Sequence, residues 1–344
     1  MKIVFIASGN GYGHLRRVCE VVKHIFEENP HVEVWILGAS AHPLMIQQWG
    51  FSAQLKKFKF AFLNVHLEQH LLALMPSAYT FERYQDSLHE VLEQIRIITP
   101  DIVVSDNLVG LVNHYPKTLL MGSFLFSDTL AQRFPESEEI MRICEYEKNI
   151  LDKHTPVMLG VEEMVMPFVC LNTRFKGLPW FCTRESHTSS VTRAKKNILL
   201  TGGGTSFATS KLMLLSRELH AQGSYHVFLD SSLYSQMENA EQKKFILFDF
   251  SHSYFNSLDW IVCRPGIGIL TEAVRYGVPV CALDEEDPEI SHNARRVEEL
   301  EIGIRLGLNE LIPSLDKNTE LIKKKLAQRN TGGALEAARY ILTC

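Results

Sequence analysis

The sequence predicts an α/β protein built from two doubly wound domains, each with a parallel sheet covered by helices. Short apolar runs alternate with helical periodicity in both halves of the chain, which is the pattern of repeated βαβ units. A glycine-rich turn follows the first strand of each half, at 9–13 and at 202–204. The length of 344 residues accommodates two domains, or one large α/β unit, with substantial cores.

Composition argues against several classes of function. The formal net charge is −5 and the isoelectric point is about 6.3, so no overall field attracts nucleic acid or an anionic membrane. The apolar run that begins at Met1 stops at Ala7, too short for a signal peptide, and no run is long enough to span a bilayer. The seven cysteines contain no CxxC pair, so we expect reduced thiols, no structural zinc and a cytoplasmic protein.

The first strand, Lys2 to Ala7, runs into a glycine-rich turn that ends at His14. An amphipathic helix follows, and a strand from Val32 to Leu37 completes a βαβ unit. A dinucleotide-binding fold requires GxGxxG and an acidic residue at the end of its second strand. Here the spacing is GxGxG and the second strand ends at Gly38, so the sequence argues against NAD binding.

Two polar residues stand where open α/β sheets bind ligands, near the carboxyl ends of strands. His14 lies at the mouth of the first helix, where it either exchanges a proton with a ligand or serves as a capping or core histidine. Asp106 directly follows the predicted buried strand from Ile102 to Ser105, where it is either a site residue or a local cap. The residues alone leave both alternatives open.

Periodicity defines the remaining elements of the first half. It predicts helices at 42–49, 81–99 and 136–153, and strands within 51–62, 119–126, 157–159 and 168–171. Basic and aromatic residues alternate over 56–62, as in an amphipathic edge strand or, alternatively, a patch that touches a membrane or a lipid-linked acceptor. Periodicity is lost over 174–197, so we place the domain boundary there.

The second half opens with another strand, glycine turn and helix. The strand at 198–200 leads into Thr201-Gly202-Gly203-Gly204-Thr205-Ser206, which lacks the GxxxxGK[ST] pattern of a P-loop. This turn either lets a ligand approach the backbone or needs glycine only for a positive φ. We predict strands at 225–229 and 245–250, and helices at 317–329 and 334–343.

The stretch 259–305 carries the clearest signal for a ligand. A strand at 260–263 meets the turn Arg264-Pro265-Gly266-Ile267-Gly268, and a helix at 269–276 is capped by Gly277 before a strand at 278–283. Amide groups at such a helix N-terminus have no partner within the helix and attract phosphate. Glu272, one turn inside, either binds the vicinal hydroxyls of a ribose or complements the helix dipole. We interpret the acidic run 284–287 as a solvated loop rather than a metal site.

The order RPGIGILTEAVRYGVP, then Asp284, His292-Asn293-Ala294 and Gly303, resembles the nucleotide-sugar signature of GT-B glycosyltransferases. This pattern covers about a seventh of the chain and is similar to the peptidoglycan N-acetylglucosaminyltransferase group and to the glycosyltransferase-like domain of plant arabinose kinases. The segment GYGHLRR resembles the same group and also the UDP-sugar hydrolase of pseudaminic acid synthesis, in which the like-placed histidine is catalytic. After Asp284 the chain has Glu285-Glu286-Asp287 where the peptidoglycan enzyme has a glutamine pair, so the resemblance does not identify the sugar.

The resemblance implies a GT-B fold, with two Rossmann-like domains facing across a cleft. We assign 1–180 to an acceptor-side domain, 190–332 to a nucleotide-sugar domain, and 333–344 to a helix that packs back on the first domain. It further implies an inverting glycosyltransferase of hexosyltransferase type, acting in bacterial-type glycan biosynthesis. The expected donor is a nucleotide-diphospho-sugar, and specifically a UDP-sugar. The expected acceptor is a sugar, a lipid-linked molecule or a small molecule. The alternatives are a hydrolase with the same site and a non-catalytic nucleotide-sugar-binding partner.

The same resemblance implies roles for individual residues. His14 is the expected base, oriented by Asp106, and the expected acceptor-side residues are Gly11, Tyr12, Gly13 and Arg17. The donor is expected to contact Gly203, Gly204, Thr205, Arg264, Gly266, Ile267, Gly268, Glu272, Glu289, His292 and Asn293. Backbone dipoles neutralise the departing diphosphate in this fold, so neither a divalent metal nor another cofactor is expected. No nucleic-acid partner is expected, and contact with the inner membrane face is an alternative to a purely cytoplasmic location.

Overall fold

A computed structural model describes residues 1–7, 12–40, 42–48, 57–63, 79–185, 194–202, 208–307, 310, 315 and 318–344. These residues divide into two compact units. Unit 1 comprises Met1–Phe181 and Gly332–Cys344, and unit 2 comprises Cys182–Thr331. Four of the expected site residues lie outside the described ranges: Gly11, Gly203, Gly204 and Thr205.

Unit 1 contains a parallel sheet with the described strand order β3-β2-β1-β4-β5-β6-β7. Its strands are β1 (Lys2–Ile6), β2 (Glu33–Gly38), β3 (Phe58–Phe62), β4 (Ile102–Ser105), β5 (Leu119–Met121), β6 (Val157–Val161) and β7 (Arg174–Leu178). Ile3 lies opposite Val34 on one side and opposite Ile102 on the other, so β1 and β4 are neighbours at the centre. Every residue of β4 is buried, as expected for a parallel strand covered on both faces.

Seven helices are described between the strands of unit 1. They are α1 (Tyr12–Glu28), α2 (His42–Gln48), α3 (Phe81–Ile98), α4 (Leu111–His114), α5 (Phe126–Arg133), α6 (Glu138–His154) and α7 (Pro167–Asn172). One core cluster joins the sheet to α3 and α6, and it buries Val4, Leu88, Ile95 and Ile143. The apolar periodicity of 81–99 therefore corresponds to a helix with one buried face.

One strand prediction in unit 1 is wrong, and another is too long. Residues 168–171 belong to α7, because Pro167 stands in the first turn of a helix, where its fixed φ is favourable. The strand follows instead, so residues 174–178, which we assigned to the linker, form β7 at the edge of the sheet. The predicted strand region 119–126 ends at Met121, since Gly122 and Ser123 interrupt the apolar run before α5 begins.

Strand β3 lies at the other edge of the described sheet and carries residues 58–62 of the basic and aromatic segment, whereas Lys56 lies outside the described residues. The Lys59 ammonium lies 3.1 Å from the Glu33 carboxylate and 5.4 Å from the centre of the Trp35 ring. Phe58 is buried, whereas Phe62 is 49% exposed. These contacts are those of an amphipathic edge strand, the first of our two interpretations.

Unit 2 contains a second parallel sheet, with the described order β10-β9-β8-β11-β12-β13. Its strands are β8 (Lys196–Thr201), β9 (Tyr225–Leu229), β10 (Ile246–Leu247), β11 (Trp260–Cys263), β12 (Val280–Asp284) and β13 (Gly303–Gly307). The described helices are α8 (Thr209–Ala221), α9 (Ser231–Ser235), α10 (Asn239–Gln242), α11 (His252–Phe255), α12 (Ile267–Tyr276), α13 (Pro288–Glu299) and α14 (Thr319–Ala327).

Of helices α12 and α13, which lie in the stretch 259–305, we predicted only the first. Gly277 ends α12 with a φ of 65°, the left-handed cap that its position indicates. The segment after Asp287, for which we predicted no helix or strand, is helix α13. The Asp287 carboxylate accepts a hydrogen bond of 3.2 Å from the Ile290 amide, and Pro288 occupies the first turn. An acidic N-cap followed by proline is a helix start that we did not recognise.

The last helix, α15 (Gly333–Leu342), belongs to unit 1, where it packs against α1. The Gly333 amide donates a 3.0 Å hydrogen bond to the Trp180 carbonyl. A Cβ atom at Gly333 would lie 2.0 Å from the Pro179 carbonyl oxygen, so this approach requires glycine. Across the described residues, no helix combines the length and the apolar character needed to cross a membrane.

Candidate active site

One candidate site lies in unit 1 where β1 and β4 adjoin, the point at which the strand order reverses direction. Open α/β sheets bind ligands at such a point, beyond the carboxyl ends of the strands. Asp106 is the first residue after β4, and its amide donates a 3.0 Å hydrogen bond to the Ile6 carbonyl at the end of β1. The sheet therefore fixes the backbone of Asp106 at this position.

Helix α1 brings two side chains to the Asp106 carboxylate. His14 Nδ1 lies 2.8 Å from Asp106 Oδ2, and Arg17 Nη2 donates to Asp106 Oδ1 at 2.7 Å. His14 and Arg17 are three residues apart, so both project from the same face of the helix. The Asp106 side chain has no exposed surface, and that of Arg17 is 9% exposed. Three residues that the sequence assigned to the site thus form one buried cluster.

The charge state of this cluster follows from its partners. Burial raises the pKa of Asp106, but the positive charges of His14 and Arg17 outweigh burial and lower it below its usual value. An ionised Asp106 accepts a hydrogen from Nδ1 of His14, and the neutral imidazole then carries its lone pair on Nε2. The arrangement leaves Nε2 as the atom that can take a proton.

Aromatic side chains form the surroundings of His14. The Phe126 ring stacks on the imidazole with a centroid distance of 6.3 Å, and the Phe124 ring meets it edge-on at 6.4 Å. Phe124 is buried and Phe126 is half-buried. We did not identify these two residues, because their apolar run was interpreted as a strand. Of the expected acceptor-side residues, Tyr12 begins α1 and Gly13 follows it in the same turn.

A second candidate site lies at the matching point of unit 2, where β8 and β11 adjoin. Arg264 is the first residue after β11, and its amide donates a 3.2 Å hydrogen bond to the Thr201 carbonyl. Its guanidinium forms ion pairs with Glu285, at 3.0 Å, and with Asp287, at 3.5 Å. Asp284 forms an ion pair with Arg305. The acidic run 284–287 is therefore largely paired, and our interpretation of it as a solvated loop is wrong.

Helix α12 begins next to Arg264 and presents its N-terminus at the same sheet edge. Gly266 is the N-cap, and none of the side chains that the structure describes makes a capping hydrogen bond there. A Cβ atom on Gly266 would meet no atom within 4 Å, so the described residues leave room around the backbone. The amides of Ile267 and Gly268 belong to the first turn, which carries the positive end of the helix dipole. This geometry suits an anion such as phosphate.

The remaining expected donor residues lie on two helices of unit 2. Glu272 in α12 is 3% exposed, and its carboxylate lies 3.4 Å from Arg275 Nε. In α13, the Asn293 side-chain amide donates to Glu289 at 3.3 Å, and His292 is adjacent in sequence. Glu272 is thus engaged within its own helix, and its contact with a ribose stays a prediction. In the described part of the chain, no group of three or more His, Cys, Asp or Glu side chains is placed to hold a metal ion.

No protein-family model and no curated protein matches this chain. Solved structures do match it along its whole length. The calicheamicin glycosyltransferase CalG4 is 14% identical, with a TM-score of 0.64, and the match covers 99% of this chain and 97% of that one. A glycosyltransferase of Streptomyces sp. SF2575, complexed with thymidine diphosphate, is 15% identical, with a TM-score of 0.61 and full coverage of both chains (100% each). UGT71G1 of Medicago truncatula, complexed with UDP-glucose, is 12% identical, with a TM-score of 0.61, covering 99% of this chain and 92% of that one.

These likenesses establish the architecture, whereas function has to be argued from the residues of the site. They do not distinguish the peptidoglycan enzyme or the arabinose kinases, which the sequence resembles, from other proteins of the same architecture. The chain consists of two α/β units, each with a parallel sheet, and it has the GT-B fold.

Proposed function

We propose that this protein is an inverting glycosyltransferase that moves a sugar from a nucleotide-diphospho-sugar, a UDP-sugar in the first instance, to an acceptor hydroxyl. The observation that carries the proposal is the contact of His14 with the buried Asp106 carboxylate at the end of β4, at 2.8 Å. A histidine held in this way presents Nε2 as a base of suitable strength near neutral pH.

The chemistry requires two groups of opposite character. The acceptor oxygen attacks the anomeric carbon and forms the new glycosidic bond, while its proton passes to Nε2 of His14. Asp106 stabilises the imidazolium that results. The bond between the anomeric carbon and the diphosphate breaks at the same time, and the electron pair leaves with the diphosphate. Attack from the face opposite the leaving group inverts the anomeric configuration.

The N-terminus of α12 is suited to accept the charge that develops on the diphosphate. The amides of Ile267 and Gly268, with Arg264 beside them, supply positive potential without a metal ion. Glu272 would then bind the ribose of the donor. Its sugar would be bound by Glu289, His292 and Asn293. Further contacts with the donor would come from Gly203, Gly204 and Thr205. UDP-glucose and thymidine diphosphate in the solved structures of similar fold support a nucleoside diphosphate as the class of ligand.

The acceptor side would be unit 1, and we propose Gly11, Tyr12, Gly13 and Arg17, which lie within three positions of His14 in the sequence, as acceptor-side residues. We propose a sugar, a lipid-linked molecule or a small molecule as the acceptor, and the cytoplasm as the site of action. With a lipid-linked acceptor, the protein would make peripheral contact with the membrane. The shared GYGHLRR segment favours hydrolysis as the second candidate, because a UDP-sugar hydrolase has a catalytic histidine at the like position. The same atoms serve either reaction, since water can replace the acceptor hydroxyl.

A thermal-shift screen against UDP-, dTDP-, GDP- and CMP-sugars tests the donor class. A ligand at about 100 times its Kd adds about 2.7 kcal/mol to the stability of the folded state. We expect a UDP-sugar to give the largest shift. Glu272→Gln should weaken the binding of that donor by about 1.5–3 kcal/mol, the value of a hydrogen bond to a charged group. Glu298→Gln, an exposed carboxylate on α13, is the matched control.

Product analysis decides between the candidate reactions once a donor is known. Free sugar released without an acceptor identifies a hydrolase, and a glycosylated acceptor with inverted configuration identifies the transferase. Binding without turnover during long incubation would leave the non-catalytic role. A screen in which no nucleotide-sugar stabilises the protein contradicts the proposal in all its forms.

A further inference from the structure

The Asp106 carboxylate is shared between two helix side chains in a way that the proposed base alone does not require. One oxygen contacts His14 Nδ1, and the other accepts a hydrogen bond of 2.7 Å from Arg17. Arg17 Nη2 also lies 3.4 Å from the Met121 carbonyl, so its guanidinium is fixed between two strands of the sheet. A histidine–aspartate pair needs only one of these contacts to hold the imidazole.

The contact with Arg17 changes the net charge of the cluster formed by His14, Asp106 and Arg17. With Arg17 present, the cluster is neutral when His14 is neutral and carries one positive charge when His14 is protonated. Without Arg17, the buried carboxylate would be balanced only by an imidazolium, so the pair would hold a proton on His14. A protonated imidazole cannot accept a proton from a hydroxyl. The positive charge of Arg17 therefore opposes protonation of His14.

We propose that Arg17 is a positioning residue that compensates the charge of Asp106 and thereby keeps His14 in its neutral, proton-accepting form. Through Asp106, Arg17 also fixes the ring tautomer with its hydrogen on Nδ1. This inference rests on the proposed role of His14 and extends it to a third residue, which we had placed on the acceptor side. Arg17 acts on the reaction through Asp106 and need not touch a substrate.

The charged groups around the cluster support this assignment. Among the described residues, His14 and Arg17 are the charges that lower the pKa of Asp106. Arg16 and Glu20, also on α1, act on the buried Cys19 thiol. Asp128 on α5 has a raised pKa because it is half-buried. From the strands, β5 contributes the Met121 carbonyl to Arg17, and the rings of Phe124 and Phe126 carry no charge.

Two variants separate charge from hydrogen bonding at Arg17. Arg17→Gln keeps a donor and removes the charge, and Arg17→Lys keeps the charge. The titration of the His14 ring is followed by NMR in the protein without substrate, with His14→Gln used to assign the signal. We expect Arg17→Gln to raise the pH at which His14 titrates by about one to three units, and Arg17→Lys to restore most of the wild-type value. Arg16→Gln removes a neighbouring charge on α1 and should leave the pH at which His14 titrates unchanged.

The acidic limb of the pH profile of kcat/KM should move in the same direction as the NMR titration. An unchanged His14 titration in a folded Arg17→Gln protein overturns the inference, and so does a shift of equal size in Arg16→Gln. The NMR readout needs no turnover. An inactive wild-type protein with the expected shift would therefore contradict the proposed function and leave the role of Arg17 standing.

Discussion

Asp106 and Arg264 occupy equivalent places in the two units. Asp106 directly follows β4 in unit 1, and Arg264 directly follows β11 in unit 2. Each of these strands is the fourth described strand of its unit along the chain. Each of the two residues donates its amide to the last residue of the first strand, Ile6 in unit 1 and Thr201 in unit 2. The doubly wound topology thus supplies the same backbone position twice.

The side chains at this position form opposite arrangements. Asp106 is one carboxylate between two basic side chains, His14 and Arg17. Arg264 is one guanidinium between two carboxylates, Glu285 and Asp287. In the proposed function, the first arrangement would prepare a neutral base, and the second would reduce the positive charge that Arg264 offers to an anion. The fold determines where chemistry can occur, and the local charges determine which chemistry it is.

The largest expected effect follows from removing the base on the Asp106 side. His14→Ala should lower kcat by about 10²–10⁴, the usual contribution of general base catalysis, with little change in donor affinity. The expected donor residues lie in unit 2, which this change does not touch. Steady-state kinetics with saturating acceptor and calorimetry with UDP measure the two quantities.

The matched control is His24→Ala, also on α1, whose ring pairs with Glu27 rather than with Asp106. Turnover close to that of the wild type in His14→Ala would place the base elsewhere. Loss of UDP binding in a folded His14→Ala protein would instead make His14 a donor contact.

Glu147 sharpens the comparison because it is a buried carboxylate on which no cation of the described residues acts. Its Oε1 atom accepts a hydrogen bond of 2.8 Å from the Tyr84 hydroxyl, and the Ser127 hydroxyl and the Val109 amide also favour its charged form. Burial outweighs these neutral donors and raises the pKa of Glu147 to about 7, whereas that of Asp106 is lowered. Burial therefore does not decide ionisation by itself, and the charge of the partners does.

The raised pKa of Glu147 predicts a pH-dependent stability. The folded-state pKa lies above the ordinary value of 4.5, so the unfolded chain releases this proton first as pH rises. The contribution of Glu147 is fully present below about pH 4.5 and is lost as pH rises through about 7. The loss is on the order of 3 kcal/mol, from about 1.4 kcal/mol for each unit of pKa.

Urea denaturation of the wild type and of Glu147→Gln across this range measures the effect. The variant cannot ionise, so its free energy of unfolding should fall less between pH 5.5 and about pH 8. Glu145→Gln, on the same helix, is the control for loss of a carboxylate, since its pairing is not part of this buried network. Parallel pH profiles for wild type and Glu147→Gln would show that Glu147 is ionised in the folded state.

The sequence predicts most of the fold because long periodic segments leave little choice. The segment 81–99 has a clear apolar face, and Gly277 marks a helix end that only a left-handed residue satisfies. Residues 168–171 fail because four apolar residues fit a strand or a helix equally well. The helix from Pro288 was missed because we did not recognise Asp287 as its acidic N-cap.

The site was harder to predict where it depends on distant pairs. His14 and Asp106 could be found separately, because each stands at the end of a predicted strand or turn. The contact of Arg17 with Asp106 joins residues 89 positions apart and needs the parallel register of β1 and β4. The ion pair of Arg264 with Glu285 likewise needs β11 and β12 side by side. No local pattern in the sequence contains that information.

The smallest expected effect tests the Arg264 side of the comparison. If Glu285, whose side chain is largely buried beside Arg264, reduces the positive charge available to a diphosphate, Glu285→Gln should tighten UDP binding up to about fivefold, which corresponds to about 1 kcal/mol. Glu286→Gln removes an adjacent exposed carboxylate, with the same change in net charge, and should have a smaller effect. Calorimetry with UDP and with uridine separates the diphosphate from the base, because only the diphosphate should respond to Arg264. Equal tightening by both variants would indicate a general charge effect, and weaker binding in Glu285→Gln would mean that the pair holds Arg264 in the orientation that the donor needs.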